Sequence, residues 1–328
     1  MTRIEAIDLT QRVAEQSLQF ATSDHVLLQG RWFVASDANP APSVVAVFAC
    51  GGGIPARFYR RLAGYLAARG AAVLTFDYRG IGESRKGNLR NLKAGMDDWA
   101  TLDFGAALAE AHATYPQLRL AAVAHSVGTL YVGAAPDAAR LSRLVFLGPH
   151  TGYWRDYRPR WRWLMYLVWH AFMPAVTKTV GYFPGSALRL GEDLPAQVAY
   201  DWSGRRQPEI AGTPEDARRF GPGLARYGAM HADTLAMSIS DDAFAPPDAA
   251  RRLLSNYPNL RVVHETITPA SLGCRRLGHF GFLRRPEGEF FWRRTADWLI
   301  ARDNSAVGSP SAMTAVDAAN TAAFVPDK

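Results

Sequence analysis

The sequence predicts an α/β fold, in which a mostly parallel sheet carries helices on both faces and an inserted, mainly helical cap. Short apolar runs alternate with helical stretches from about residue 43 to residue 150. This alternation breaks at about residue 151 and resumes at about residue 231. Strands that alternate with helices pair in parallel through right-handed crossovers, and the helices then cover both faces of the sheet.

The first elements are two strands at residues 16–22 and 26–35, which we expect at an edge of the sheet, with Ser23 and Asp24 in the turn. Continuous β-branched and apolar runs then predict strands buried on both faces. These runs are residues 43–50, 71–80, 118–126, 142–150, 234–241 and 259–267. Helical periodicity predicts helices at residues 57–69, 97–115 (capped by Asp97 or Asp98), 128–135, 246–257 and 288–303.

The interruption between the strands separates two predicted domains. Residues 151–230 are rich in aromatic residues, arginine, proline and glycine, and they are too many for a simple loop. We therefore expect a cap domain at 151–230 and an α/β core formed by 1–150 and 231–303. The small and polar tail at 304–328 is typical of a disordered segment.

Composition narrows the function classes. The formal net charge is +7, but the arginines are scattered, which favours a solvated basic surface over nucleic-acid binding. Cys50 and Cys274 lie far apart, so we expect neither a disulfide framework nor a metal site, and no cofactor is implied. No apolar leader is visible and no stretch is long enough to span a bilayer, which predicts a cytoplasmic protein of undetermined oligomeric state.

Polar residues follow three of the predicted strands. Ser126 stands between the small residues Ala124 and Gly128, which suits either a plain tight turn or a nucleophile that must clear its own backbone. Asp242 and His279 follow the last two strands. Because ligands of such sheets bind at the carboxyl ends of the strands, we expect all three side chains at one site.

These motifs resemble the α/β-hydrolase family. The segment Ala124–Gly128 is similar to the family's nucleophile elbow, although alanine stands where glycine is commonest. Residues 77–84 are similar to a recurring family segment. The segments at 53–59, 152–154 and 181–185 look like a bacterial branch of predicted α/β-hydrolases whose substrate is not established.

The resemblance implies a serine hydrolase that acts through an acyl-enzyme. Ser126 would be the nucleophile, His279 the base and Asp242 the carboxylate that orients the base. The backbone N–H of Val127 would supply one oxyanion donor. Alignment on Pro55 assigns the second donor to Ile54, with Gly53 close behind.

Asp241 competes with Asp242 for the place beside His279. In the resembled family the acid precedes a proline by four residues, and Asp242 stands in that relation to Pro246. We therefore assign the acid to Asp242 and expect Asp241 to bind the strand end or the loop backbone.

The substrate prediction rests on the aromatic cap. We expect Gly53, His150, Trp154 and Trp161 to line a pocket for small carboxylic esters with an apolar part. His150 could equally be filler, the cap aromatics could simply pack on the core, and their interleaved arginines could instead contact an anionic membrane surface.

Other function classes stay open from the sequence. An acyltransferase or a thioesterase would use the same triad, and a binding protein could carry the fold without the chemistry. Residues 51–56 also fit G-x-G-x-x-A, with Asp77 at the end of the next strand, which is typical of dinucleotide binding. That last interpretation leaves Ser126, Asp242 and His279 without a role.

Overall fold

The computed structural model describes residues 13–36, 41–205, 226–284 and 286–301, together with the backbone of residues 322 and 323. The predicted tail lies outside the described residues apart from this last pair. The main sheet contains β1 (Val13–Ala21), β2 (Leu27–Ala35), β3 (Val44–Ala49), β4 (Ala71–Phe76), β5 (Arg119–His125), β6 (Arg143–Leu147), β9 (Asp233–Ile239), β10 (Arg261–Ile267) and β11 (Ala322–Ala323).

The strand order in this sheet is β1-β2-β4-β3-β5-β6-β9-β10-β11. The six strands from β4 to β10 pair in parallel, whereas β1, β2 and β11 pair antiparallel with their neighbours. The predicted mostly parallel sheet is therefore confirmed. The order runs outward from β3 in both directions, so the carboxyl ends of β3 and β5 flank a switch point, where ligands of such sheets bind.

Outside the inserted segment, the helices lie close to where apolar periodicity predicted them. The helices are α1 (Arg60–Ala68), α2 (Met96–Asp98), α3 (Gly105–Thr114), α4 (Gly128–Ala134), α5 (Pro159–Leu167), α6 (Met173–Val180), α7 (Ala196–Ser203), α8 (Pro247–Leu254) and α9 (Glu289–Ile300). π-Helical turns at Trp99–Phe104 and Val168–Phe172 join α2 to α3 and α5 to α6. Every residue of β3 and β4 is buried, which explains their unbroken apolar sequences.

Two local predictions were wrong. Only β1 lies at the edge, because β2 pairs on its other side with β4. The helix predicted from residue 97 begins at Met96 with Gly95 as its N-cap, and the Asp98 carboxylate reaches back to accept from the Gly95 N–H at 2.8 Å. Asp98, at the third position of the helix, therefore accepts from the N–H of the N-cap residue, as in a capping box.

The inserted segment leaves the sheet after β6. Its described part, residues 151–205, contains α5, α6, α7 and a two-stranded ladder of β7 (Tyr182–Phe183) and β8 (Leu194–Pro195). It has an apolar cluster of its own, formed by Tyr153, Trp154, Tyr157, Trp169, Met173, Phe183 and Ala199. Residues 206–225 of the predicted cap lie outside the described residues. Within the described chain, no helix combines the length and the apolar character needed to cross a membrane.

Candidate active site

Ser126 occupies a strained turn between β5 and α4. Its φ is +56°, in the left-handed region that costs a non-glycine residue about 1–3 kcal/mol. The Ser126 N–H donates to the Leu147 carbonyl at 2.9 Å, which ties the turn to β6. A Cβ at Gly128 would lie 2.2 Å from the Ala49 carbonyl oxygen, so glycine is required there. The local sequence thus closes a turn tight enough to present the serine side chain at the sheet edge.

The three residues chosen from strand ends meet in the structure. His279 Nε2 lies 3.0 Å from Ser126 Oγ, and His279 Nδ1 lies 2.7 Å from Asp242 Oδ2. All three side chains are buried. An imidazole held between a carboxylate and a hydroxyl in this way can take the hydroxyl proton and later return it.

Asp242 is held as an anion. Its Oδ1 accepts from the backbone N–H groups of Phe244 at 2.7 Å and Ala245 at 2.9 Å. Burial alone would raise the pKa of Asp242, but the adjacent His279 and these two donors outweigh it and hold the pKa below its ordinary value. The carboxylate therefore accepts the Nδ1 proton of His279 at neutral pH, which leaves Nε2 free to accept from the serine.

Asp241 points to the loop that carries His279. Its carboxylate accepts from the N–H groups of Leu277 at 3.1 Å and Gly278 at 2.9 Å. Neighbouring residues at a strand end point in opposite directions, and here one carboxylate meets the imidazole while the other binds backbone.

His150 makes a second contact with the nucleophile. Its Nε2 lies 2.8 Å from Ser126 Oγ, and its ring edge meets Trp202 with centroids 5.8 Å apart. Since the serine has one proton and His279 accepts it, His150 must donate from Nε2. Burial, followed by the proximity of His279, lowers the pKa of His150 to about 3, so the ring stays neutral. The sequence pointed to His150 as pocket lining but could not reveal this contact, which depends on how the chain turns after β6.

The glycine loop after β3 lies beside the nucleophile turn. A Cβ on Gly52 would come within 3.0 Å of the Val127 side chain, so glycine lets the two segments approach. The Ile54 N–H donates to the Gly51 carbonyl at 3.1 Å and is used within the turn. The expectation that Ile54 supplies a free oxyanion donor does not fit this geometry. Among the described residues, the N–H groups of Gly52, Gly53 and Val127 make no hydrogen bond, and of the two glycines Gly52 is the one that lies against Val127.

Tyr59 and His125 connect this glycine loop to the nucleophile turn. The Tyr59 hydroxyl accepts from the Gly51 N–H at 3.0 Å and lies 2.7 Å from His125 Nδ1. This buried connection fixes the loop against the residue that precedes Ser126, and no pattern in the sequence indicates it.

The cap holds the other side of the glycine loop through Glu192. Its backbone N–H donates to the Gly53 carbonyl at 2.8 Å, and its carboxylate accepts from the Gly82 N–H at 2.7 Å and pairs with Arg57 at 2.8 Å. Gly53 adopts a φ of +67° at this contact. The structure thus places Gly53 against the cap backbone, although the sequence suggested that it lines the pocket.

The two predicted pocket tryptophans lie away from the nucleophile in the described contacts. Trp154 is buried in the cap's own aromatic cluster, and Trp161 is half exposed on α5. The helix α5 buries none of its side chains completely: Trp161 and Trp163 are exposed, whereas Tyr166 packs against Trp154 of the cap cluster. The aromatic residues near the site include Trp202, against His150, and Phe244 and Phe280, whose ring centroids lie 5.5 Å and 5.1 Å from that of His279.

Asp77, the acidic residue that the dinucleotide interpretation places beside a ribose, is already occupied. Asp77 Oδ1 accepts from the Ala56 N–H at 2.7 Å, and its Oδ2 accepts from the Glu83 N–H at 2.9 Å. Both oxygens of Asp77 therefore accept hydrogen bonds from backbone N–H groups. Because neither is free to bind a ribose hydroxyl, this arrangement argues against the dinucleotide interpretation. In the described ranges, no group of three His, Cys, Asp or Glu side chains is arranged to hold a metal ion.

Solved structures with the same fold include hydrolases of several kinds. An esterase from Pyrococcus furiosus is 15% identical, with a TM-score of 0.56 over 91% of this chain and 94% of that chain. The esterase domain of a Rhodothermus marinus protein is 14% identical, with a TM-score of 0.52 over 87% and 97%. An acylaminoacyl peptidase from Pyrococcus horikoshii is 14% identical, with a TM-score of 0.56 over 93% of this chain and 45% of that chain.

These identities are low enough that the likeness shows the fold alone. The sequence matches none of the curated proteins with which it was compared. A protein family does match, and it is described as "Serine aminopeptidase, S33". The match covers residues 40–260, which include Ser126 and Asp242 and stop short of His279. Since the matched region is well over half of the chain, the protein belongs to this α/β-hydrolase family.

Proposed function

We propose that the protein is a serine hydrolase that cleaves carboxylic esters with an apolar part through an acyl-enzyme. The observation that carries the proposal is the strained Ser126, whose Oγ lies 3.0 Å from an imidazole that is itself bound to Asp242. A turn that served packing alone would need neither the strain nor the buried relay behind it.

In the first step, His279 Nε2 takes the Ser126 proton while Oγ bonds to the substrate carbonyl carbon. The carbonyl oxygen becomes an anion, which the N–H groups of Gly52 and Val127 stabilise in place of the Ile54 donor predicted from alignment. The resulting imidazolium, stabilised by Asp242, protonates the leaving alkoxide as the bond between the acyl carbon and the alkoxy oxygen breaks. Water then attacks the acyl-enzyme by the reverse proton transfers and releases the acid.

His150 acts as a positioning residue in this scheme. Its donated hydrogen bond fixes the Ser126 hydroxyl so that the hydroxyl proton is directed at His279. Once Oγ has bonded to carbon it becomes an ester-type oxygen and accepts hydrogen bonds weakly. The His150 N–H is then available to the leaving alcohol or to the incoming water.

The apolar substrate class rests on the side chains beside the two histidines. Trp202 contacts His150, and the partly exposed Phe244 contacts His279. A substrate that reached Ser126 between them would lie against aromatic surface. Hydrolysis of thioesters or amides, and acyl transfer to an acceptor other than water, would use the same three residues. The solved structures with this fold include the peptidase named above.

A panel of substrates distinguishes these reactions. We expect nitrophenyl esters to be hydrolysed faster as the acyl chain lengthens from acetyl, and faster than matched aminoacyl anilides and acyl thioesters. Trp202→Ala and Phe244→Ala should flatten the chain-length preference, whereas Trp154→Ala, inside the cap cluster, should leave it in place. Faster cleavage of the anilides or thioesters would contradict the ester assignment while leaving the nucleophile intact.

A further inference from the structure

The outer face of the cap exposes an unusual amount of apolar surface. The helices α5 and α6, with the π-helical turn between them, form one helical run from Pro159 to Val180. Its inner side buries Trp169, Met173 and Thr177 at four-residue spacing. The outer side exposes Trp161 (47%), Trp163 (64%), Leu164 (46%), Leu167 (57%) and Phe172 (45%). Soluble proteins seldom leave so many large apolar side chains together in water unless they bind something there.

The charges on the same run all have one sign. From Arg158 to Val180 the sequence contains no aspartate or glutamate, whereas Arg158, Arg160, Arg162 and Lys178 are cationic. We define the cap face as these four cations together with the five exposed apolar side chains. A partner that covers the cap face must therefore offer both negative charge and an apolar interior.

We propose that the cap face binds the surface of an anionic lipid bilayer, with the helical run lying in the plane of the interface. Tryptophan and leucine side chains would enter the boundary between headgroups and acyl chains, and the arginines would pair with the phosphates.

A second copy of this chain fits the cap face less well. Two cap faces brought together by a twofold axis would juxtapose their arginines, and neither face contains a carboxylate to pair with them. An anionic bilayer supplies the missing negative charge on one surface together with the apolar layer.

The cap face begins next to the catalytic edge of the sheet. Arg158 Nη2 lies 3.5 Å from the Ser240 carbonyl oxygen, two residues before Asp242. A bilayer under the cap face would therefore lie near the partly exposed Phe244, which contacts His279. The membrane contact itself does not depend on the proposed ester hydrolysis.

Cosedimentation of the full chain with vesicles tests the proposal. We expect binding to phosphatidylcholine vesicles that contain a quarter phosphatidylglycerol, weaker binding to phosphatidylcholine alone, and loss of the difference at high salt. The double variants Trp161→Ser/Trp163→Ser and Arg160→Gln/Arg162→Gln should each weaken binding to the anionic vesicles by about tenfold or more.

Phe58→Ser is the matched control, because Phe58 is 54% exposed beside Arg57 but lies outside the cap. It should bind like the unchanged protein, and thermal unfolding should show that all the variants are folded. Absence of binding, or equal loss in the Phe58→Ser protein, would overturn the proposal. Self-association that the Trp161→Ser/Trp163→Ser protein loses, without vesicle binding, would overturn it in favour of a second copy.

Discussion

Two histidines share the hydroxyl of Ser126, and the geometry assigns them different tasks. His279 has a carboxylate behind its Nδ1 and accepts the serine proton at Nε2. His150 has no partner at Nδ1 among the described residues and donates from Nε2. A single hydroxyl cannot donate to both, so the carboxylate behind one ring decides which histidine is the base.

Replacing His150 should separate positioning from proton transfer. His150→Phe should lower kcat by about fivefold or more, because the serine loses a donated hydrogen bond. His150→Gln, which restores an N–H donor, should recover part of that loss. Since the pKa of His150 is about 3, the group is neutral above about pH 4. Neither variant should therefore move the acidic limb of the kcat/KM profile, and a shift of that limb would identify His150 as the titrating base.

The adjacent aspartates form a matched pair for the role of the carboxylate. Asp242→Asn should lower kcat by about 10³- to 10⁴-fold, because an amide can hold His279 in the wrong tautomer. Asp241→Asn removes the acceptor for the Leu277 and Gly278 N–H groups and should mainly lower the melting temperature. Kinetics and thermal melts of both folded proteins check this assignment. If the Asp241→Asn protein is the inactive one, Asp241 orients the base.

Three residues of the site could be predicted from the sequence, because the end of an apolar run marks the end of a buried strand. Ser126, Asp242 and His279 each follow an apolar run, and parallel strands end at one edge of a sheet. The contact of His150 with the serine and that of Tyr59 with His125 depend on side-chain directions after a turn, which carry no local pattern. Ile54 was misassigned because Pro55 marks the glycine loop but does not show which N–H its turn consumes.

At the scale of elements, prediction succeeded where burial alone decides the structure. The runs that became β3, β4 and β5 are mostly apolar, and they are buried along nearly their whole length. The interior position of β2 was missed because its alternating sequence suits any strand with one covered face. The π-helical turn at Trp99–Phe104 also has no local signature, since π-helical turns depend on the surrounding packing.

The contact between the cap and the glycine loop joins two elements, and mutation can test whether it affects the reaction rate. Glu192→Ala keeps the backbone N–H that donates to Gly53, but it removes the carboxylate that accepts from Gly82 and pairs with Arg57 and so anchors this contact. We expect the loosened loop to lower kcat by about tenfold with a smaller change in KM, because donors aimed at the oxyanion must be preorganised. Steady-state kinetics on a short soluble ester would measure both constants.

Asp193→Ala is the control for this change, since Asp193 lies in the same cap segment but pairs with Arg85 and Ser186. It should lower the melting temperature without the loss in kcat. Equal losses of kcat in the two variants would show that general loosening of the cap, rather than the contact with the glycine loop, limits the rate.

At the scale of the whole molecule, Arg79 joins the first hairpin to the parallel sheet. The buried guanidinium binds Asp24, in the turn between β1 and β2, at 2.7 Å and Asp103 at 2.7 Å. The hydrogen bond with Arg79 lowers the pKa of Asp24 to about 2, against an ordinary value of 3.8. A carboxyl group with a lowered pKa stabilises the fold above its ordinary value, and this stabilisation is lost as the pH falls from about 4 to about 2.

Asp24→Asn should therefore remove part of the acid sensitivity of the fold. Near neutral pH the variant should melt at a lower temperature than the unchanged protein, because it lacks the ion pair. The difference should shrink as the pH falls from about 4 towards 2, where Asp24 becomes protonated in both the folded and the unfolded chain. Melting temperatures across this range measure the effect, and a constant difference at every pH would show that Asp24 stabilises by packing alone.

The sheet could be predicted from the sequence, whereas the path of the cap could not. Alternating strands and helices allow few arrangements, and right-handed crossovers reduce them further. The cap lacks that rhythm, and its contacts rely on single side chains such as Glu192 and Asp201, which accepts from the Met96 N–H at 2.8 Å. Such contacts join residues about a hundred positions apart and leave no periodic trace.

The central claim is that Ser126 forms a covalent intermediate under the control of His279. Treatment of the folded protein with a fluorophosphonate, followed by intact-mass measurement and peptide mapping, tests it most directly. The structure predicts one adduct on Ser126, none on the Ser126→Ala protein, and slow labelling of the folded His279→Ala protein because its serine keeps its proton. An adduct on another residue, or no adduct on the folded protein, would contradict the claim.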